Sequence, residues 1–160
     1  MKNKSILLLF IALFVMTGCS SSEYDDMYTF GDTFVFNDME ITFINDIEWI
    51  SDERINLITR PENPDEYNAF RVPVRITNLR ERSHTINSSE YAQFDSNGIQ
   101  MENISPLFRG DNNISRMPRI RRNVTIYSYM YFLYTGRGNY FVEFRRLFDN
   151  YPVEVRLPVR

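Results

Sequence analysis

In "AFRVPVRITN" the apolar residues Phe70, Val72, Val74 and Ile76 alternate with Arg71, Pro73, Arg75 and Thr77. No other feature of the chain restricts its fold as much. A side chain that changes face at every step belongs to a half-buried β-strand, because a helix face repeats only every ~3.6 residues. The alternation recurs in "MEITFINDIEW", where Met39, Ile41, Phe43, Ile47 and Trp49 alternate with Glu40, Thr42, Asp46 and Glu48. It recurs again in "VEVRLPV", with Val153, Val155, Leu157 and Val159 set against Glu154, Arg156 and Pro158. "NVTIYSYMYFLY" and "NYFVEF" add β-branched and aromatic runs that suit a pleated surface. Pro73 has no N–H to give to a ladder, which predicts an edge strand or an outward-facing nitrogen.

Turn chemistry separates these runs. "FGDT" and "FNDM" interrupt apolar stretches, the Asn97-Gly98 pair in "FDSNGIQ" favours a tight hairpin, and "TGRGN" can close another. Residues 51–68, "SDERINLITRPENPDEYN", predict an irregular loop with one helical turn around Asp52 to Leu57. No stretch has amphipathic helical spacing and no internal repeat is present. Short strands with turns between them, seven or eight in number, predict an all-β fold, a two-sheet antiparallel sandwich.

The first residues carry an address. Lys2 and Lys4 precede an apolar segment from Ile6 to Val15, and Met16-Thr17-Gly18 leads into Cys19. Such a segment is short of the ~20 residues that span a bilayer and has the form of a secretion signal. "MTGC" resembles the lipobox of bacterial lipoproteins, which implies cleavage before Cys19 and diacylation of its sulfur; the alternative is an ordinary signal peptide with an incidental cysteine. The expected organisation is a cleaved lipoprotein signal peptide over residues 1–18, a polar tether with the lipidated cysteine over 19–26, and the sandwich domain over 27–160. Cys19 is the only cysteine, so its acylation leaves no thiol for a disulfide, a metal site or a nucleophile. The domain is then held by its core alone, outside the cytoplasm and anchored by lipid to the bacterial cell membrane.

Both lysines lie in the leader, so of 18 basic residues the mature chain keeps 16, all arginine, against 21 acids. That sign disfavours nucleic acid, whose phosphates need a basic surface. From Ser20 to Pro106 there are 6 arginines and 17 acids, and from Leu107 to Arg160 there are 10 and 4. In a sandwich the two halves interleave, so the ordinary reading of this asymmetry is a mixed, soluble surface.

With the lipobox and tether in place, "GDTFVFNDMEITFINDIEW" and "FRVPVRITNLRERSHTINSSEYAQFDSNGIQM" resemble the secreted immunoglobulin-like lipoproteins of the DUF4352 type, whose β-sandwich is of the MPT63 kind. The features that carry the resemblance are Gly31 opening a strand, the Val72 to Asn78 strand ending in asparagine, and Phe94 before the Asp95-x-x-Gly98 hairpin. Two departures stand out. "RMPRIRRNVTIY" replaces the family's proline-glycine turn before the long strand, and the insert "LFRGDNNIS" precedes it. The resemblance implies an immunoglobulin-like fold and a cell-envelope setting, and brings no catalytic residues.

Little in the chain points to chemistry. His84 is the sole histidine and stands in a polar stretch without a G-x-S-x-G element to supply a nucleophile. The carboxylate pairs Asp25/Asp26, Asp52/Glu53 and Asp65/Glu66 read as solvated, and the scattered glycines build no phosphate loop. No catalytic residue, metal site or cofactor is expected. Three features read as binding candidates. If Ile126, Ser128, Met130 and Phe132 face the core, Tyr127, Tyr129 and Tyr131 line the other face, either as a low-entropy contact surface or as cross-strand packing. Arg116, Arg119, Arg121 and Arg122 lead into that strand, where guanidinium forks suit an anionic lipid, a wall polymer or an acidic envelope protein, or simply guard a strand edge. Arg109-Gly110-Asp111 matches the integrin tripeptide, and ordinary turn chemistry explains it equally well. The function expected is a non-enzymatic binding or accessory module; a purely structural envelope lipoprotein is the alternative, with a hydrolase a distant third.

Overall fold

The alternating segments pair into two sheets packed face to face. The computed structural model describes residues 27–50, 69–102, 113–114, 117–146 and 152–160. Among them are the strands β1 (Met27–Tyr28), β2 (Thr33–Phe36), β3 (Met39–Phe43), β4 (Glu48–Ile50), β5 (Ala69–Asn78), β6 (Tyr91–Phe94), β7 (Gln100–Met101), β8 (Thr125–Leu133), β9 (Gly138–Phe144) and β10 (Val153–Val159), with a 3-10 turn at Ser88–Glu90. One sheet has the order β1-β10-β9-β6-β7. In the other, β5 is central, with β3 and β4 sharing one of its edges and β8 along the other, and β2 beyond β3. The two-sheet sandwich expected from the alternation is therefore present, with ten strands among the described residues rather than seven or eight. β1 and β7 have two residues each, too few to display a period. Among the described strand pairings β1 with β10 is parallel, and an isolated parallel bridge joins Asn113 to Tyr129.

Phe70, Val72, Val74 and Ile76 of β5 are fully buried, and Arg75 between them is exposed. Phe144 of β9 projects into a nest of rings from the opposite sheet, with centroids 5.3 Å from Phe34, 5.3 Å from Phe36 and 6.3 Å from Phe43. Phe70 stacks on Phe132 at 5.0 Å and meets Tyr140 edge-on at 5.0 Å. Such pairs add ~0.5–1.5 kcal/mol each beyond the area they bury, which suits a core that no disulfide supports. Trp49 points inward as expected, against Phe70 and Tyr134, but at the rim, where it stays 40% exposed.

Several local expectations change. β5 is central, so Pro73 is not on an edge. Its carbonyl accepts from Ile44 N, which places its nitrogen on the side shared by β3 and β4; β3 ends at Phe43 and β4 begins at Glu48, so the missing donor falls in the gap between them. The two-residue hairpin lies at Asn37-Asp38, both with positive φ (52° and 55°), as a type I′ turn requires. The Asn97-Gly98 hairpin is longer. Asp95 captures it by accepting the N–H of Asn97 at 2.9 Å and of Ile99 at 2.8 Å, while Gly98 takes the left-handed position at φ 75°. "TGRGN" closes no hairpin, because β8 and β9 lie in different sheets, and it forms a corner between them. Tyr140 fastens that corner: its hydroxyl donates to Gly136 O at 3.0 Å and accepts from Thr135 N at 2.8 Å, a tyrosine corner of the kind found in immunoglobulin-like sandwiches. At Gly138, φ is 149° and an added Cβ would meet that of Ser96 at 2.9 Å.

The sandwich has two distinct ends. At one, the Asn37-Asp38 hairpin is tied to the other sheet by Asn37 Nδ2 donating to Glu90 Oε1 at 2.6 Å, and Phe36 packs on Phe144. β1 pairs Met27 with Glu154 and Tyr28 with Val155, and runs parallel to β10, which starts opposite Phe144. The chain thus comes into the sandwich at this end, here termed proximal. The distal end carries Trp49, Leu133, the Thr135–Asn139 corner and Val159.

Candidate functional site

Alternation in β5 and β8 places Arg71, Arg75, Tyr127, Tyr129 and Tyr131 on the outer face of the five-stranded sheet built around β5, and register decides what each can do. Arg71 stands opposite Glu48 on one side and Tyr131 on the other. Its Nε and Nη2 donate to Glu48 Oε2 at 2.9 and 2.6 Å, its Nη1 donates to the Tyr131 hydroxyl at 3.3 Å, and its guanidinium carbon lies 4.0 Å from the Tyr129 ring centroid. Burial works against the charge of this guanidinium, but the hydrogen bonds to Tyr131 and Glu48 outweigh it and hold the pKa above the usual arginine range. Tyr131 itself is 2% exposed and clusters with Ile50 and Ala69. It is part of the floor and offers no contact surface.

Two rows further along, past Pro73 and Tyr129, the chemistry changes. Arg75 stands directly opposite Tyr127. Arg75 is exposed, its Nη2 donates to Thr42 Oγ1 at 3.2 Å, and it makes no ion pair among the described residues. Thr42 Oγ1 shares a hydrogen bond with Thr33 Oγ1 at 2.7 Å, and Thr77 and Thr125 hydroxyls meet at 2.8 Å beside them. Tyr127 is 60% exposed. The face is therefore graded: a locked Glu48–Arg71–Tyr131 row, a half-buried Tyr129 held by cation–π contact, then an accessible guanidinium and phenol among threonine hydroxyls. Arg71 and Arg75 are on one face by spacing alone, yet their pairing with β8 depends on a register that no single segment states.

Arg119, Arg121 and Arg122 are all exposed in the segment before β8; Arg116 lies outside the described residues. Ile120 between them is buried and bridges His84, with His84 N to Ile120 O at 3.0 Å and Ile120 N to His84 O at 2.7 Å. Asn78 clips the two segments together, its Nδ2 donating to Ile120 O at 2.8 Å and to Arg82 O at 2.9 Å. This brings Arg82, exposed and absent from the sequence-based set, to the same end as Arg119, Arg121 and Arg122.

His84 has Nδ1 3.5 Å from Arg80 Nη1 and its Nε2 is enclosed with no hydrogen-bond partner. Burial, and then the charge of Arg80, keep its pKa below the usual histidine value. Glu90 and Asp38 act on this imidazole through their charge, and among the described residues no carboxylate is hydrogen-bonded to it. The carboxylate pairs, the Arg109-Gly110-Asp111 tripeptide, the 51–68 segment and the leader with Cys19 lie outside the described residues.

Among solved structures, the chain is similar to the yjhA protein of Bacillus subtilis, with TM-score 0.63 and 14% identity over 82% of this chain and 99% of that one. The likeness is one of fold. It extends to ycdA, a candidate lipoprotein of Bacillus subtilis, with TM-score 0.55 and 11% identity over 79% of this chain and 38% of that one. MPT63, a secreted protein of Mycobacterium tuberculosis, is similar with TM-score 0.51 and 13% identity over 86% of this chain and 99% of that one. No protein-family model and no curated protein matches the chain. The sheet order, the tyrosine corner and the MPT63 likeness together make the domain an immunoglobulin-like sandwich.

Proposed function

We propose that this chain is a divergent bacterial lipoprotein of the DUF4352 type, held outside the cytoplasm by a lipid on Cys19, and that it acts by binding through its outer β5–β8 face rather than by catalysis. The anchor rests on "MTGC" after a short apolar run. A candidate lipoprotein and a secreted protein among proteins of like fold agree with that setting. The binding reading is carried by one observation: Arg75 and Tyr127 are exposed side by side on a floor that is itself hydrogen-bonded. A phenol and a guanidinium presented at low entropic cost make a contact surface for a carboxylate- or phosphate-bearing partner.

The test separates binding from packing. A photo-crosslinker placed at Tyr127 in cells should capture a discrete partner, and Arg75→Gln should abolish the capture while leaving the unfolding midpoint unchanged. An Arg75→Gln chain that loses stability, with capture unaltered, would return this face to strand packing. Lipid on Cys19 is read separately, by mass spectrometry of the mature N terminus: an unmodified cysteine or a cut elsewhere would sink the anchor.

A further inference from the structure

We infer that the proximal end of the sandwich is its membrane-facing end, an arginine surface that orients the anchored domain on anionic lipid headgroups. This rests on the Cys19 anchor proposed above. The fold contributes what the sequence lacked, namely which end the tether leaves from. β1 begins at Met27, opposite Glu154 and one pair from the Val153–Phe144 end of the sheet, and runs away from that end. The tether therefore departs from the proximal end. From Cys19 to Met27 it has eight steps, at most ~30 Å when fully extended.

The arginine-bearing segments converge on this same end. Asn78 is the last residue of β5, opposite Met39 beside the Asn37-Asp38 hairpin, and it fixes both the Arg80–His84 and the Arg119–Asn123 segments through its side chain and through Asn123 N to Asn78 O at 2.6 Å. Arg80 is occupied by Asp38 at 3.4 Å, and Arg145 by Glu143. Arg82, Arg119, Arg121 and Arg122 are exposed and make no ion pair among the described residues. Among the described residues, Glu81 and Asp38 are exposed carboxylates at this end, Asp38 being held by Arg80. Glu90 is engaged by Asn37 and Asn87, and Glu143 and Glu154 face each other one pair in from the end of the other sheet. In the tether, Glu23, Asp25 and Asp26 oppose an anionic surface. The charges thus act on orientation more than on affinity, which two acyl chains supply by themselves. The domain is acidic as a whole with an arginine end, so a negative leaflet pulls that end inward and repels the remainder. Guanidinium forks add bidentate contacts to lipid phosphate that ammonium groups would not.

The experiment uses the full lipidated chain in vesicles. Cys19 is acylated, so a single new cysteine at Val124 (proximal) or at Asn139 (distal) takes a fluorophore, and a headgroup-labelled lipid is the quencher. In phosphatidylcholine vesicles containing about one third phosphatidylglycerol, quenching at position 124 should exceed that at 139 by roughly twofold or more. The excess should shrink toward that of pure phosphatidylcholine in about 0.5 M salt, where charges are screened within a few ångström. It should shrink equally when Arg82, Arg119, Arg121 and Arg122 become glutamine. A chain that fails to float with vesicles overturns the anchor and this orientation together. A chain that floats but quenches equally at both positions, or whose preference ignores both lipid charge and the four substitutions, overturns the orientation alone.

Discussion

At the scale of single residues, the polar side chains inside this sandwich place its loops. Asn78 is fully buried, and besides its two donated bonds its Oδ1 accepts from Arg80 N at 2.9 Å. Alanine there would strand Arg82 O and Arg80 N and leave Ile120 O with His84 N alone, and an unsatisfied buried group costs ~1–3 kcal/mol. Asn78→Ala should lower the unfolding free energy by about 2–4 kcal/mol in urea titrations, and hydrogen exchange should rise first in the Arg80–His84 segment. Asp95 offers a pH-linked counterpart. Burial pushes its carboxyl upward, but the N–H groups of Ile99 and Asn97 pull harder and hold the pKa below the usual carboxylate range. A depressed folded-state pKa means stability that is present above the unfolded value of ~3.9 and is lost as pH falls through the folded one. Asp95→Asn should therefore cost stability at neutral pH and flatten the acid limb of a stability-versus-pH curve. An unchanged acid limb in denaturation between about pH 5 and 2 would show that the turn is held otherwise.

At the scale of elements, pairing decides more than composition. Glu154 of β10 stands directly opposite Glu143 of β9, and burial followed by that like charge raises its pKa. A raised carboxylate pKa contributes stability that is present below the unfolded value and is lost as pH rises through the folded one. Glu154→Gln should accordingly stabilise the domain near pH 7 by up to about 1 kcal/mol, the scale of a cross-strand pair, and the gain should vanish in acid. Equal stabilisation at pH 3 and 7 would mean that charge is not the cause. The same dependence on pairing limits what a single sequence shows. The faces of β5, β8 and β10 were legible because each carries its own alternation, and Tyr127 and Tyr129 were placed on the outer face by that period alone. Pro73 and "TGRGN" were not, because a central strand with a split neighbour and a corner between sheets are properties of topology. Tyr140 appeared as one more aromatic in "NYFVEF"; its hydroxyl gains a role only when Thr135 and Gly136 fold back over it. Arg82 was missed for a similar reason, since 37 positions separate it from Arg119 in sequence and Asn78 joins their segments.

At the scale of the whole molecule, the anchor and the charge act along one axis, and they can be set against each other. β5 spans the sandwich with ten residues, about 33 Å at ~3.3 Å per residue, which exceeds the reach of the tether. β10 ends at Val159, opposite Gly138 at the distal end. A chain with Cys19 removed and a lipid anchor fused by an eight-residue linker after Arg160 would be held by its distal end, with its arginines facing away from the bilayer. Its fold should be unaffected, because no pairing changes, and its thermal midpoint should match that of the native chain. On anionic vesicles in high salt, geometry alone governs, and the label at Asn139→Cys should be quenched more than that at Val124→Cys. In low salt the arginines pull their end down against a linker too short to let the domain invert, so the domain should lie on its side and the two labels should quench alike. Zwitterionic vesicles should keep the high-salt pattern at every ionic strength. A salt response that is the same on both lipids, or an arginine end still quenched more in high salt, would show that something other than charge holds the domain to the surface.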